Sequence, residues 1–360
     1  MSHTAAMNTL DSSIPNTIHL FEKLKEDLVL NLVQEIKFQP NLCQLPITTQ
    51  DDEITVDARD RSAHVLRCLK VVFDLSSDVF FVAINLMDRF LTKMKARQKH
   101  MDCISVSAFY IAAVQLSPVV DGDHRFIDRL VSISQCGCTT DDLKRMSQVI
   151  RNKLEWVPGT QPITTLTFLQ LFNNMFHAVA AQFHLGDVYA SVVKISELIL
   201  MLEMVACDGS CASLRPSVVA LVLLCTYLDT TVNRLNANAN GNASVPSTHD
   251  TATVPPHQVL RDKFALFTKW LQNECNISKQ SFYFTRGAVD VILSKYNAQE
   301  QTPYKQNLIW RVSKSTARVL RPTAKFRSEL PVIAEHTPVP SPSKIRKSRK
   351  YTRRHGNKRR

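Results

Sequence analysis

Helical spacing of apolar residues, repeated along most of the chain, is the sequence feature that most restricts the fold. The first period begins at Thr17 and places on one helix face Ile18, Phe21, Leu24, Leu28 and Leu32. Similar periods recur as far as residue 296, and only eight glycines occur in 360 residues. Because connections between strands usually draw on glycine, the pattern predicts an all-α fold.

The periods divide into one N-terminal helix, ended by Pro40 and Pro46, and two groups of five. We predict the first five helices at 56–74, 77–95, 101–116, 125–133 and 139–156. The third of them is nearly all apolar or small, which is typical of a helix buried on all sides. We predict the second five at 164–180, 187–205, 215–235, 258–275 and 278–296.

The same pattern predicts four parts of the chain. Residues 1–54 form an N-terminal segment with one helix, and residues 55–158 form a first five-helix repeat. Residues 159–298 form a second repeat, which includes a long flexible loop at 236–257 rich in Asn, Ala, Thr and Pro. Residues 299–360 lack a helical period and form a disordered, basic tail.

The net charge of +12 comes mainly from the end of the chain. The last seventeen residues contain ten Lys or Arg and no acid, which leaves the remainder near +2. A protein that binds nucleic acid through its fold needs a basic face on that fold. Nucleic acid is therefore an unfavoured partner for the helical part.

Motifs for catalysis, metal binding and membrane insertion are absent from the sequence. It contains no GxxxxGK[ST], GxGxxG, GxSxG or HExxH motif. The nine cysteines do not have zinc-site spacing, and the longest apolar run, at 217–228, is about half a membrane span. We predict a protein without enzymatic activity, cofactor or metal, and with no membrane partner.

Several strings match one known family. VAINLMDRFL at 82–91 matches a second helix, Arg59 lies upstream of it, and Trp156-Val-Pro stands at the end of a fifth helix. These strings resemble the cyclin box. DRFLTKMK at 88–95, WRVS at 310–313 and TARVL at 316–320 resemble the G-type cyclins most closely. The resemblance implies tandem five-helix cyclin-box repeats and a non-catalytic regulatory role in cell cycle and growth.

The resemblance also assigns roles to individual residues. In cyclins, the residues that match Arg59 and Asp88 form a buried ion pair between the first two helices, so both are expected to be structural. Kinase-activating cyclins use a lysine near the end of the third helix and a glutamate in the fifth to hold the kinase. Val114 and Ser147 occupy those positions here, and neither provides a charge-assisted hydrogen bond.

The resemblance places a substrate-docking groove on the first helix of the repeat. Its apolar positions correspond to Ala58, Arg61, Ser62 and Val65. We expect the two polar residues, Arg61 and Ser62, to spoil an apolar groove. Ordinary activation of a cyclin-dependent kinase is therefore disfavoured by both departures.

The tail contains the string Leu330-Pro-Val-Ile333-Ala-Glu335, which fits LxxIxE. It resembles the short motif bound by B′ regulatory subunits of protein phosphatase 2A. An extended peptide would place Leu330 and Ile333 in two apolar pockets and Glu335 on a basic patch. A chance match is the alternative, and the position in a segment predicted to be disordered favours a real motif.

The tail also contains predicted modification and import signals. Ser341 precedes proline with Lys344 at plus three, and Thr337 precedes Pro338, so both resemble sites of proline-directed kinases. The basic run predicts binding to a nuclear import receptor, and hence a protein of nucleus and cytoplasm. It comprises Lys344, Arg346, Lys347, Arg349, Lys350, Arg353, Arg354, Lys358, Arg359 and Arg360. A nucleic-acid arm is the alternative, although Tyr351 is its single aromatic residue.

Three functions remain open on the sequence alone. The favoured one is an adaptor that recruits protein phosphatase 2A through its B′ subunit. The alternative is a regulatory subunit that activates a cyclin-dependent kinase. The third is a cyclin-box transcription or chromatin factor.

Overall fold

A computed structural model describes residues 13–47, 52–157, 159–241 and 255–297. An N-terminal helix, α1 (Ser13–Phe38), precedes a first repeat. That repeat contains α2 (Val56–Val72), α3 (Ser77–Lys93), α4 (Met101–Leu116), the short α5 (Pro118–Asp121), α6 (Phe126–Ser134) and α7 (Thr140–Leu154). The prediction of five principal helices at these places is confirmed to within a few residues.

The second repeat has six principal helices in its described residues, one more than the first. It contains α8 (Thr165–Gln182), α9 (Gly186–Val192), α10 (Ile195–Ala206), the short α11 (Gly209–Ala212), α12 (Pro216–Gly241), α13 (Pro256–Glu274) and α14 (Lys279–Asn297). Within the described residues no strand occurs, and Glu53 and Arg97 form an isolated β-bridge. The all-α prediction is therefore confirmed for this part of the chain.

Three sequence predictions differ from the structure. The predicted helix at 187–205 is two helices, α9 and α10, because the chain becomes extended at Val193 and Lys194. Helix α12 continues through Gly241, so the start of the predicted 236–257 loop is helical, and α13 begins at Pro256. Helix α1 begins at Ser13, four residues before the predicted start. Residues 242–254 of that loop and the whole tail at 299–360 lie outside the described residues.

Threonine caps determine where several of these helices begin. Thr55 accepts a hydrogen bond from the amide of Ala58 at the start of α2. At the starts of α7 and α8, Thr139 with Asp142 and Thr164 with Thr167 form reciprocal capping boxes. Each box satisfies backbone donors that a helix leaves unpaired in its first turn.

One helix in each repeat lies inside the bundle. On α4, side chains from Met101 to Ala113 are buried with the exception of Asp102 and the half-buried Tyr110, as predicted for a helix buried on all sides. Helix α12 buries all its side chains from Ser217 to Leu224. By length and composition Pro216–Ala237 would also suit a membrane span, but most of that stretch is packed inside the protein, as in the core helix of a globular domain.

Candidate interaction surfaces

The predicted pair Arg59 and Asp88 forms a bidentate ion pair between α2 and α3. Arg59 Nε donates to Asp88 Oδ1 at 2.8 Å, and Nη2 donates to Oδ2 at 2.7 Å. Both side chains are almost fully buried. Burial lowers the pKa of Arg59, but the carboxylates of Asp88 and Asp60 outweigh that effect and raise it overall. The pair is inaccessible to a partner, so its role is to hold two helices together.

Asp60, the next residue along α2, lies between Arg59 and the backbone of Gly209 on α11. Burial raises the pKa of Asp60 to about 6, against the opposing influence of Arg59. Gly209 fits tightly here, since a Cβ atom would lie 2.7 Å from Val56 Cγ1 and 3.0 Å from Asp60 Oδ1. This close approach joins the first repeat to the second.

A second buried carboxylate, Glu203 of α10, joins the two repeats. It accepts hydrogen bonds from Arg67 Nε at 3.0 Å, Lys70 Nζ at 2.6 Å and Ser77 Oγ at 2.8 Å. These donors belong to α2 and α3, and the Glu203 side chain is 1% exposed. No motif or family string in the sequence predicted this site. The sequence feature that could have indicated a buried carboxylate is the single acid among apolar residues in the string LILMLEMV at 198–205.

A third buried carboxylate holds the N-terminal helix in place. Glu35 of α1 pairs with Arg215 (Oε2 to Nη2, 2.8 Å) and accepts the backbone amide of Ser217 at 2.7 Å. That amide lies in the first turn of α12, where a negative charge is favourable. Arg215 also donates to the carbonyl oxygens of Cys275 and Asn276, which follow α13. Sequence reasoning missed this contact as well.

The positions of the kinase-contact residues lie on α4 and α7, two helices that pack against each other. Ser107 on α4 donates to the Leu143 carbonyl of α7, and Gln115, farther along α4, donates to the carbonyl of Thr160. Val114 is half-buried against the core. Ser147 is 3% exposed, and within the described part of the chain its hydroxyl has no hydrogen-bond partner. Neither residue presents a charge to a partner.

The expectation that both Arg61 and Ser62 spoil a groove on α2 requires a correction. Ser62 and Ala58 are 3% and 4% exposed, so both side chains face the interior and do not line an open surface. Arg61 is on the outer face, where it pairs with Asp57 at 3.0 Å. The error arose because the family alignment gives positions along the helix but not how far neighbouring elements cover them.

Other predicted groups lie outside the described residues. These are the LxxIxE motif with Leu330, Ile333 and Glu335, the sites Thr337 and Ser341, and the basic run from Lys344 to Arg360. Among the residues that are described, no group of three or more His, Cys, Asp or Glu side chains is arranged to hold a metal ion.

Comparison with known proteins identifies the family. Residues 29–157 match the family model Cyclin, N-terminal domain. The chain is 30% identical to Cyclin-G2 of Mus musculus over 84% of its own length and 79% of that protein. This chain belongs to the G-type cyclins. The resemblance seen in the sequence is thereby confirmed.

Two other relatives, both G-type cyclins, agree with that assignment. This cyclin is 39% identical to Cyclin G of Drosophila melanogaster over 89% of its length, and it spans about half, 52%, of that longer protein. It is 26% identical to Cyclin-G1 of Homo sapiens, over 88% of this chain and 97% of that one. A solved viral cyclin from herpesvirus saimiri superimposes with a TM-score of 0.48 at 17% identity, over 77% of this chain and 99% of that chain.

Proposed function

We propose that this G-type cyclin is a non-catalytic adaptor that recruits protein phosphatase 2A through its B′ regulatory subunit. The LxxIxE string of Leu330, Ile333 and Glu335 is the observation that carries the proposal. The helical body would then present a target or a kinase to the recruited phosphatase. Cyclins as a family are regulatory proteins, and recruitment of a phosphatase is the form of regulation proposed for this one.

The chemistry of the motif suits an extended peptide in a shallow site. Two apolar side chains three residues apart can enter separate pockets, and the carboxylate two residues later can meet a basic patch. Pro331 fixes one backbone angle between them, which lowers the entropy cost of ordering the peptide.

The helical body supports a role other than the usual kinase contact. Val114 is apolar and Ser147 is buried, so the two charge-assisted hydrogen bonds expected of a kinase-activating cyclin are missing. On α2, Arg61 and its partner Asp57 place charges where an apolar peptide groove would be needed.

Calorimetry with the purified full-length protein and a B′ subunit tests the proposal. The double variant Leu330→Ala, Ile333→Ala should weaken binding by about 100-fold or more, because each buried aliphatic anchor contributes about 1.5–3 kcal/mol. Val332→Ala is the matched control, since it truncates an aliphatic residue between the anchors and should bind as wild type. Binding that ignores the double variant would make the string a coincidence.

A smaller, salt-dependent effect is expected at the acidic position. Glu335→Gln should weaken binding about tenfold at low salt and less at high salt, because screening reduces charge attraction. Phosphate on Ser341 or Thr337 would add about two negative charges after Glu335 and should strengthen docking on the same basic patch. The comparison of phosphorylated and unphosphorylated protein in the same assay measures this effect.

Regulation of a cyclin-dependent kinase is the second candidate function, favoured by the match to the cyclin N-terminal domain. Its test is whether the purified protein raises the activity of such a kinase and remains bound to it at moderate salt. Stable activation would favour this candidate over the adaptor.

The basic run at 344–360 is proposed to bind a nuclear import receptor and so divide the protein between nucleus and cytoplasm. Replacement of its Lys and Arg residues by Gln should abolish nuclear accumulation of a fluorescent fusion. The alternative of a chromatin factor predicts that DNA binding survives deletion of residues 344–360, because it would then reside in the fold.

A further inference from the structure

Helix α14 has an apolar stripe on its solvent-facing side. Phe284 and Val291 are 68% and 55% exposed, and they lie on one face with Gly287 between them. Tyr283, beside Phe284, is also 68% exposed. Large apolar residues on a helix of a globular protein normally face the core. A stripe of this kind on the outer face indicates a surface that something covers.

Gly287 makes the centre of the stripe a notch. A Cβ atom at this position would meet no other atom within 4 Å, and the backbone φ there is not in the left-handed region. Neither internal packing nor backbone conformation therefore requires glycine, although glycine is unfavourable in the interior of a helix. A close approach by a large side chain from outside would account for it.

The chain that follows α14 contains a suitable occupant. After Asn297 the sequence is polar until Leu308-Ile309-Trp310-Arg-Val312, an apolar cluster with one tryptophan. Helix α14 rises about 20 Å between Phe284 and Asn297. The ten residues at 298–307 can span about 33 Å when extended. The cluster can thus reach any part of the stripe by turning back along the helix.

Charge is compatible with the same occupant, since Lys295, one turn beyond Val291, is already paired with Asp208 at 3.3 Å. Asp290 is exposed beside the stripe and has no hydrogen-bond or ion-pair partner among the described residues. Basic residues accompany the apolar cluster, namely Arg311, Lys314 and Arg318. Helix α1 has another exposed apolar face, at Val29, Leu30, Val33 and Ile36, but α14 is the helix that directly precedes the tail, so its stripe is within reach of residues 308–312.

We propose that residues 308–312 bind back onto the α14 stripe, with Trp310 seated in the notch at Gly287. This contact is separate from phosphatase docking, because Leu330 lies 18 residues beyond Val312. It anchors the beginning of the tail to the second repeat. The anchor would keep the LxxIxE motif within a limited distance of the helical body.

Photo-cross-linking of the full-length protein tests the proposed contact. With benzoylphenylalanine at position 284, mass spectrometry should find cross-links within one chain to the peptide that contains Trp310. The matched control carries the same probe at Leu266 of α13, which is 71% exposed, and should give none to that peptide. Cross-links from position 284 to a second copy of the chain, or none to residues 305–320, would overturn the proposal.

A variant at the notch gives an independent measurement. Gly287→Gln fills the notch and improves helix propensity, so the fold should be retained, as circular dichroism would check. Tryptic cleavage after Arg311 should become about tenfold faster, because the protease acts on the undocked population. Trp310→Ala should have the same effect, and Leu266→Gln should have none. Cleavage at the wild-type rate in Gly287→Gln would contradict docking at this site.

Discussion

Asp88 and Glu203 are both buried carboxylates paired with basic residues of α2, yet they connect different parts of the molecule. Asp88 accepts two hydrogen bonds from the single guanidinium of Arg59, and both residues belong to the first repeat. Glu203 accepts from Arg67, Lys70 and Ser77, all in the first repeat, while it belongs to the second.

The difference indicates that two parts of α2 have ion-pair partners in different repeats. Arg59 pairs with α3 of its own repeat, although the adjacent Asp60 approaches Gly209 of the second repeat. Arg67 and Lys70, farther along α2, both pair with Glu203 of the second repeat. A buried charge that loses its partner is strongly destabilising, whereas the intact pair contributes little net stability over apolar packing. Loss of Asp88 and loss of Glu203 should therefore increase local unfolding in different parts of the molecule.

The largest effect is expected for Glu203→Ala. The substitution leaves Arg67 and Lys70 buried without a carboxylate, and it should lower the free energy of unfolding by about 4 kcal/mol. Chemical denaturation measures the loss, and hydrogen exchange should show faster exchange in both repeats. Glu274→Ala, which changes an exposed glutamate on α13, is the control and should lie within about 0.5 kcal/mol of wild type.

Asp88→Ala should lower the free energy of unfolding by about 3 kcal/mol. The loss is smaller because Asp60 still pairs with Arg59 at 3.2 Å. Faster hydrogen exchange should be concentrated in α2 and α3. If Asp88→Ala and Glu203→Ala accelerated exchange over the same helices, the contrast between a contact within a repeat and a contact between repeats would be wrong.

Glu35→Ala tests the third carboxylate, at the contact between α1 and the start of α12. We expect a loss of about 2 kcal/mol, because a helix-terminal amide loses its acceptor and the partly exposed Arg215 can turn to water. Glu35→Gln retains an acceptor oxygen and should lose less. Equal losses in the two variants would assign the effect to the charge pair and not to the helix terminus.

Asp60→Asn should produce the smallest effect, and a stabilising one. Because burial raises the pKa of Asp60 to about 6 in the folded protein, the folded state favours the protonated form. The stabilisation that the folded protein gains from protonated Asp60 is complete below pH about 4 and is lost as the pH rises through 6. The asparagine side chain of the variant stays neutral and avoids this loss. Its free energy of unfolding should therefore be about 1–2 kcal/mol higher than that of wild type at pH 7.5.

Thermal denaturation between pH 4 and 8 measures this prediction. The wild-type and Asp60→Asn curves should converge near pH 4, separate between about pH 4 and 6, and stay apart by a constant amount at higher pH. Parallel curves over the whole range would show that Asp60 does not titrate in this window.

Much of the fold could be predicted because the signals for helices are local. The apolar and small residues that indicated α4 lie within the helix itself, so it was predicted with its observed limits. The split between α9 and α10 was missed because the apolar period continues across the extended residues Val193 and Lys194. Similarly, the polar composition after Leu235 predicted a loop where α12 in fact continues to Gly241.

The sequence by itself determined the helical class and the family, since periodicity and motifs lie in short recognisable strings. The Arg59–Asp88 pair, 29 residues apart, followed from the family resemblance. Tertiary structure decided which side chains are accessible and which distant charges meet. Glu203 is 136 residues from Arg67, and Glu35 is 180 residues from Arg215. Helical spacing gives the direction of a side chain around its own axis, but burial and pairing depend on the neighbouring helix. For that reason the inward position of Ser62 and the exposed stripe on α14 became visible only in the folded protein.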